Sequence, residues 1–439
     1  MNILVLGSGA REHVITWKLA QNKSAQLYNF GPTSNPGIAE LVKEVELGDV
    51  TDVAAVVDWA KQKKIDVVWV GPEAPLAVGI VDALEGMGVS CIGPTQKLAE
   101  LESSKSFTRN LVEKYNINAS PIFRTFTSDI EIEDFIKSLD GNVVIKPDGL
   151  TGGKGVKVMG DHFQTADEAL QYCKDLFAAG DMKVLVEEKL IGQEFSLMSF
   201  TDGKHIVHMP VVQDHKRAYV NDEGPNTGGM GSYTDADHSL PFLNNNDVKQ
   251  AEQINEAVLE ALEQEFEQAY IGILYGGFIA VHDGVRLIEY NVRFGDPEVM
   301  NLLSLLETDL IRITDAMVNG TLNTLKVEFS RRASVCKYLV PDGYPVDPIK
   351  DQPIDVSVVD TNKVNLFFGS VDQKDGELIE KGSRTVAVVG IADTLREAEQ
   401  KVETEIKKIT GPLFHREDIG TNELIQKRIE SMNELRHEQ

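Results

Sequence analysis

The segment LIEYNVRFGDPE (287–298) sets Glu289, Asn291 and Arg293 at alternate positions of a run that Leu287, Tyr290 and Val292 mark as a strand. Period-two geometry puts the three side chains on one face of a sheet. An acid, an amide and a guanidinium cannot form a core face, because burying them without partners is costly. Glu289 and Asn291 do offer hard oxygen ligands to a divalent cation. Mg²⁺ in phosphotransfer sites takes one or two protein oxygens and completes its shell from phosphate and water. Arg293, one step along, offers a bidentate fork to a carboxylate. For this strand alone, a solvated polar face is the bland alternative.

A phosphate cradle is encoded upstream in KPDGLTGGKGV (146–156). Gly149, Gly152, Gly153 and Gly155 let backbone N–H groups converge on phosphate oxygens, and Lys146 and Lys154 add charge. The loop is not of the Walker type: Gly155 follows Lys154 where Ser or Thr would stand, and a strand comes next. A flexible hairpin tip is the alternative. VEEKLIGQEFS (186–196) sets acids at one strand end and Glu194 at the start of the next. Such a linker suits adenine on backbone groups and ribose hydroxyls on a carboxylate. DHKRAYVNDEGPNTGGMG (214–231) joins Asp214, Lys216 and Arg217 to a glycine-rich stretch without periodicity. Loops of that length are functional lids or disordered, and a lid is expected here.

The chain opens with GSGARE (7–12), which begins like a dinucleotide fingerprint, but the third glycine position falls on Glu12. The next strand ends in YNFGPT with no ribose-binding acid, so a nicotinamide oxidoreductase is disfavoured. A substrate loop beyond the carboxyl end of a parallel strand fits better. GPEAP (71–75) follows a second strand in the same way, with a plain strand-to-helix turn as its alternative.

These motifs need elements to position them. Short apolar strands alternate with helices over residues 1–103, which predicts a Rossmann-like parallel sheet. Residues 104–330 read differently: a helix from Ser103 to Lys114, strands around VVIK and VKVM, and a helix from Thr165 to Phe177. A long helix follows, with Val248, Ala251, Ile254, Val258 and Leu262 at helical spacing. A third, mostly β section spans 331–425. The class is thus α/β and α+β multidomain. At 439 residues the chain has ample length for two to four domains. A net charge of −26 argues against nucleic acid or anionic membrane as the main partner. Three scattered cysteines fit a reducing cytosol, and neither a signal peptide nor a bilayer-spanning apolar run is apparent.

GSGAREH, GPEAPL, LESSKSF, KPDGLTGGKGV, DHKR, GPNTGGMG and NVRFGDPE, in this order, resemble the phosphoribosylamine–glycine ligase family of the ATP-grasp superfamily. The resemblance covers essentially the full length. It implies a Rossmann-like N-terminal domain (1–103) and a central ATP-grasp pair of subdomains (104–330, lid about 122–192). A C-terminal domain (331–425) completes the cleft. It also implies ATP-dependent joining of glycine to 5-phosphoribosylamine in the cytoplasm, by a monomer with no nucleic-acid or membrane partner. Lys105, Lys146, Gly152, Gly153, Lys154 and Gly155 are expected at the phosphates. Glu187, Glu188 and Leu190 are expected at adenine, Glu194 at ribose, and Glu289 and Asn291 on Mg²⁺ or Mn²⁺. Lys154, Arg293, Asp214 and Lys216 would surround the reacting groups. Gly9, Arg11, Glu12, His13, Glu73, Asn226, Thr227, Gly228, Gly229, Arg293, Asp296 and Pro297 would face the substrates. The chain departs from the usual motifs at Ala10, in the TGGKG loop and in GPTSNPG (31–37). The strand before Glu-x-Asn, YGGFIAV, lacks the acid many superfamily members carry, which leaves more of the metal shell to ATP and water. A different ATP-grasp ligase or carboxylase, or a nucleotide-binding regulator, remain the other readings.

Overall fold

The computed structural model describes residues 1–150 and 155–437. The expectations placed on Gly152, Gly153 and Lys154 lie outside the described residues. Five parallel strands form the N-terminal sheet, in the order Glu44–Leu47, Gln26–Gly31, Asn2–Leu6, Val67–Val70, Ser90–Ile92. Ile3–Leu6 and all of Val67–Val70 are buried, as parallel strands covered on both faces require. Strand order reverses between Asn2–Leu6 and Val67–Val70, so the loops at Gly7 and Gly71 stand side by side beyond the carboxyl ends. The first helix, Ala10–Leu19, begins before the apolar periodicity does. The Glu12 carboxylate accepts the Gly9 N–H at 2.6 Å and satisfies one of the donors orphaned at that end.

Two antiparallel sheets follow. The first runs Phe123–Phe126, Val184–Glu188, Val143–Pro147, Lys157–Val158, and helices Ile132–Ser138 and Ala166–Ala179 belong to the same unit. Its core of Phe126, Ile136, Val143, Ile145, Cys173 and Val186 is separate from the rest of the apolar interior. The second runs Ile206–His208, Gln193–Asp202, Ile271–Val281, Gly284–Asn291, against helix Asn245–Phe266. Ala251, Ile254, Val258 and Leu262 of that helix are buried, as their spacing predicts.

The C-terminal sheet is not confined to the third section of the chain. Ala333–Pro341 pairs with Val386–Ala392 on one side and with Gly231–Thr234 on the other, and Gln213–Asp214 extends the edge. Strands of two and four residues carry too few positions for a period to show in the sequence. The stretch expected to be a lid is instead a hairpin, Arg217–Tyr219 against Glu223–Asn226. Its tip is strapped down. Arg416, fully buried, donates to Arg217 O at 3.1 Å and to Asp222 Oδ1 at 2.9 Å, and pairs with Asp418 at 2.8 Å. The Asn221 N–H donates to Asp418 at 2.9 Å. The last helix, Asn422–His437, runs past the expected boundary at 425 and sends Arg428 to Asp222 and Arg436 to Asp247.

Removing one member of a buried ion-pair set leaves the others uncompensated, at a cost of about 3–5 kcal/mol. Arg416→Ala is therefore expected to lower the unfolding free energy on that scale. Hydrogen exchange of the 217–226 amides should rise more than that of the parallel sheet.

Candidate functional site

Glu289 and Asn291 close the strand Gly284–Asn291, opposite Gly277 and Tyr275. A Cβ on Gly277 would lie 3.3 Å from Glu289 O and 3.5 Å from its Cγ, so glycine keeps that side of the carboxylate open. Burial alone would raise the Glu289 carboxyl, but Lys216, Lys146, Lys105 and Arg293 outweigh it and hold the group below its ordinary value. The result is an ionised acid inside a ring of cations. An ionised carboxylate beside an amide oxygen is a donor set that suits Mg²⁺ or Mn²⁺.

The cations are themselves held in place. Lys105 opens helix Lys105–Lys114, capped by Ser104, and its Nζ donates to Gly149 O at 2.7 Å. Asp148 accepts from the Ser106 N–H at 3.0 Å and from the Ser104 and Ser106 hydroxyls. Thus LESSKSF clamps the first turn of the glycine loop. Gly149 has φ +112°, a conformation that side chains resist. Lys146 pairs with Glu187 at 2.6 Å and donates to Ile288 O at 3.2 Å. Arg109 shares the same carboxylate and donates to Ile288 O at 2.8 Å. Glu187 is 3% exposed. Burial pushes its carboxyl up, yet Arg109 and Lys146 bring it down to about 2. Its side chain is engaged by Arg109 and Lys146. The Glu188 carboxylate accepts the Ile122 N–H at 2.8 Å, and Leu190 lies on the linker between the two sheets.

The fork expected of Arg293 is occupied by protein. Its guanidinium meets Glu102 at 2.9 Å and Glu73 at 3.2 Å, and donates to Asn291 Oδ1 at 3.1 Å. Glu102 also accepts the Val292 N–H at 2.8 Å. Arg293 thereby ties Asn291 to the N-terminal domain. Burial keeps Glu102 above its ordinary value against the pull of Arg293, whereas at Glu73 burial loses to Arg293 and Arg11.

Asp214 and Lys216 stand on the opposite wall. Lys216 pairs with Glu194 at 3.0 Å, and Glu194, against the cost of burial and with Glu289 and Asp214, raises its ammonium. Asp214 is raised well above its ordinary value by burial and by Glu298. Glu194, Asp214, Lys216, Tyr275, Glu289 and Glu298 line one cleft. Glu298 was not singled out from the sequence, since an acid in a first helical turn reads as a complement to the helix dipole.

The N-terminal candidates divide. Arg11 pairs with Glu12 at 2.7 Å and donates to Phe294 O at 3.3 Å, bridging toward the Glu-x-Asn strand. Glu12 is 3% exposed and fills the space glycines leave: a Cβ on Gly71 would sit 2.1 Å from its Oε1. His13 is buried against the C-terminal sheet, where its Nδ1 accepts the Phe368 N–H at 2.9 Å and its ring stacks on Phe368. Burial outweighs that bond and lowers the imidazole to about 3, so it is neutral. Gly9 and Glu73 remain at the paired loop ends. In GPNTGGMG, the Thr227 hydroxyl donates to Lys216 O at 2.9 Å and accepts the Gly229 N–H at 3.0 Å, and Asn226 ends the hairpin. Arg384 donates to Gly228 O at 2.6 Å and pairs with Asp296 at 3.1 Å, next to Gly229 and Pro297. Arg384, Arg109, Glu102 and Tyr275 were missed because their partners are distant in the chain.

A separate antiparallel unit facing a second sheet that ends in Glu-x-Asn, behind a parallel sheet, defines the ATP-grasp class. The biotin carboxylase domain of Hydrogenobacter thermophilus 2-oxoglutarate carboxylase shares that fold at TM-score 0.72 and 14% identity, covering 98% of this chain and 93% of that one. Phosphoribosylglycinamide synthetase models match throughout: the N domain over 1–102, the ATP-grasp (A) domain over 103–299, and the C domain over 334–422. The chain belongs to the phosphoribosylglycinamide synthetase family. It is 48% identical to the phosphoribosylamine–glycine ligase of Methanocaldococcus jannaschii over 444 residues, covering 99% of this chain and 100% of that one. The ligase of Methanosarcina barkeri is 47% identical at the same coverage. The crystal structure of the Thermotoga maritima ligase superimposes with TM-score 0.79 at 27% identity, over 95% of this chain and 100% of that chain.

The Glu187 pairs generate a pH prediction. A carboxyl near 4.5 when unfolded and about 2 when folded contributes stability that is present above 4.5 and lost as pH falls toward 2. Urea midpoints should drop between pH 5 and pH 3, and less steeply in Glu187→Gln.

Proposed function

We propose that this chain joins glycine to 5-phosphoribosylamine at the expense of ATP, giving glycinamide ribonucleotide, ADP and phosphate in purine biosynthesis. The observation that carries the reading is Glu289, kept ionised by lysines and an arginine beside Asn291 in the ATP-grasp cleft. A carboxylate does not react with an amine, so glycine must first be activated. Its carboxylate oxygen attacks the γ-phosphorus of ATP, forming glycyl phosphate and releasing ADP. The amine of phosphoribosylamine then attacks the carbonyl carbon, phosphate leaves, and a proton is lost from nitrogen. Protein chemistry here is positioning and charge neutralisation.

Lys105, Lys146 and Lys154 bind phosphates with Gly152, Gly153 and Gly155, and so offset the repulsion between triphosphate and glycine carboxylate. Backbone groups of Glu187–Leu190 receive adenine and Glu194 the ribose. Glu289 and Asn291 hold Mg²⁺ or Mn²⁺, which when bound neutralises phosphate charge. Asp214 and Lys216 border glycine. Gly9, Arg11, Glu73 and the Asn226–Gly229 turn face phosphoribosylamine. Closing the separately packed sheet over ATP excludes water that would hydrolyse the acyl phosphate. The enzyme acts in the cytoplasm on small molecules. A net charge of −26, three buried free cysteines, and no described helix long and apolar enough to cross a membrane support this.

ADP release should require both glycine and freshly made phosphoribosylamine; release with neither, or with other acids equally well, would overturn the reading. Glu289→Ala is expected to lose turnover by at least about a hundredfold, as when charge stabilisation of a transition state is removed, while its melting curve persists. Glu102→Gln frees Arg293 and so Asn291. The Mg²⁺ concentration for half-maximal rate should rise roughly ten- to a hundredfold.

A further inference from the structure

Arg217 completes the DHKR motif, yet unlike Asp214 and Lys216 it does not line the cleft. Its guanidinium meets Asp161 at 2.5 Å. Asp161 belongs to the separately packed antiparallel unit, on the turn that follows its edge strand Lys157–Val158. The pair therefore joins two bodies of the molecule. Among the described residues, every other hydrogen bond from 122–189 to the rest of the chain is made by Lys146, Asp148, Gly149 or Glu187, at strand ends. Each partner is fixed independently of the other. The Asp161 and His162 N–H groups donate to Val158 O at 3.2 and 2.9 Å, and the Gly160 N–H donates to Phe163 O at 2.7 Å. Gly160, at φ +87°, lets the turn close this tightly. Phe163 is buried in the unit's own core, and Lys189 Nζ donates to Met159 O at 2.7 Å. On the other side Arg217 donates to Gly224 O at 2.9 Å across its hairpin, and Arg416 holds the Arg217 carbonyl. Little side-chain freedom is left to lose when the pair forms, and that loss is what commonly cancels a surface ion pair. The Arg217 and Asp161 side chains remain 26% and 42% exposed, so the pair is weak and screened by salt. A closure that must reopen at every turnover requires a weak contact.

We infer that Arg217 and Asp161 form the latch of the nucleotide cleft, with Arg217 as a positioning residue that holds the separately packed unit against the wall carrying Lys216. The role given to the latch during the reaction rests on the ligase reading; closure over a nucleotide does not. Lys216 precedes Arg217 in the chain and pairs with Glu194 in the cleft, so the latch stands one residue from the site. Its anchor is the C-terminal section, because Arg416 also pairs with Asp222 and Asp418. Without the pair, the turn 159–163 keeps no described hydrogen bond to the rest of the chain. Water then reaches the acyl phosphate. Its oxygen attacks the carbonyl carbon of glycyl phosphate, phosphate leaves, a proton is lost, and glycine is returned without product.

The test compares the full chain with Asp161→Asn, Asp161→Lys and the conservative Asp161→Glu, all at an exposed position where folding is not at stake. Hydrogen exchange of the 157–163 amides is measured with ADP and Mg²⁺ present. It should rise about two- to fivefold in Asp161→Asn, the range of an exposed ion pair. It should rise further in Asp161→Lys, which sets two cations together, and return toward wild type in Asp161→Glu. ADP released per glycinamide ribonucleotide formed should follow the same order. The gap between wild type and Asp161→Asn should narrow as salt is raised from about 0.1 M to about 1 M. On an Arg217→Met background, Asp161→Asn should have no further effect, since the interaction is already gone. Unchanged exchange in Asp161→Lys, an unchanged ratio of ADP to product, or a full effect of Asp161→Asn on the Arg217→Met background overturns the latch while the ligase reading stands. Exchange that follows the series in a chain that makes no product from glycine and phosphoribosylamine supports the latch and removes the ligase reading.

Discussion

One electrostatic balance governs this molecule: a carboxylate that must stay ionised although the fold buries it. Glu289 would be pushed toward its neutral form by desolvation, and four cations from separate parts of the chain reverse that push. Lys105 comes from a helix start, Lys146 from the separately packed sheet, Lys216 from the C-terminal sheet edge and Arg293 from just beyond the strand itself. A charged group at a cleft bottom therefore reports on the assembly of nearly every element. If one of these elements shifts, the cation ring loosens and burial pushes the acid back toward its neutral form.

The cations are held by other acids, and this second layer explains most of the buried charge. Glu187 fixes Lys146 and Arg109, while Glu102 and Glu73 fix Arg293, which in turn holds the Asn291 amide. Such pairs add little net stability, because desolvation offsets attraction; their worth is in geometry. The same reasoning covers the straps on the periphery. Arg416 and Arg384 hold the Arg217–Asn226 hairpin and the Gly228–Gly229 turn, so the glycine-rich stretch is tied to the C-terminal section. The joint between the ends of the chain is of another kind. His13 is neutral and packed between Phe367 and Phe368, docking the first helix on the C-terminal sheet through one backbone N–H.

Much of this was legible in the residues themselves. Alternation placed Glu289 and Asn291 on one face because a strand has a period of two, and the register shift in this strand falls before them, at Ile288. Helical spacing in the 245–266 segment identified its buried stripe for the same reason. Lys146 beside Lys105 and the glycine loop followed from motifs only a few residues long. Ordered along the chain, these segments sufficed for the ATP-grasp family, since each is a local solution to holding a phosphate or a metal.

What the sequence alone could not decide was which charged groups are already engaged. Glu12 and His13 sit in a motif that resembles a ligand loop, but Glu12 fills the gap beside Gly71 and His13 is a docking residue. Arg293 has the chemistry to grip a substrate carboxylate, and three protein groups occupy it, two of them about two hundred residues away. Glu298 looked like an ordinary first-turn acid and is buried on the cleft wall under the Tyr275 hydroxyl. The C-terminal sheet likewise takes strands from both sides of an apparent boundary. Parity, spacing and loop chemistry are short-range and so are written in the chain. Whether a buried charge is matched or left open depends on partners brought from far along it, and only the folded structure supplies them.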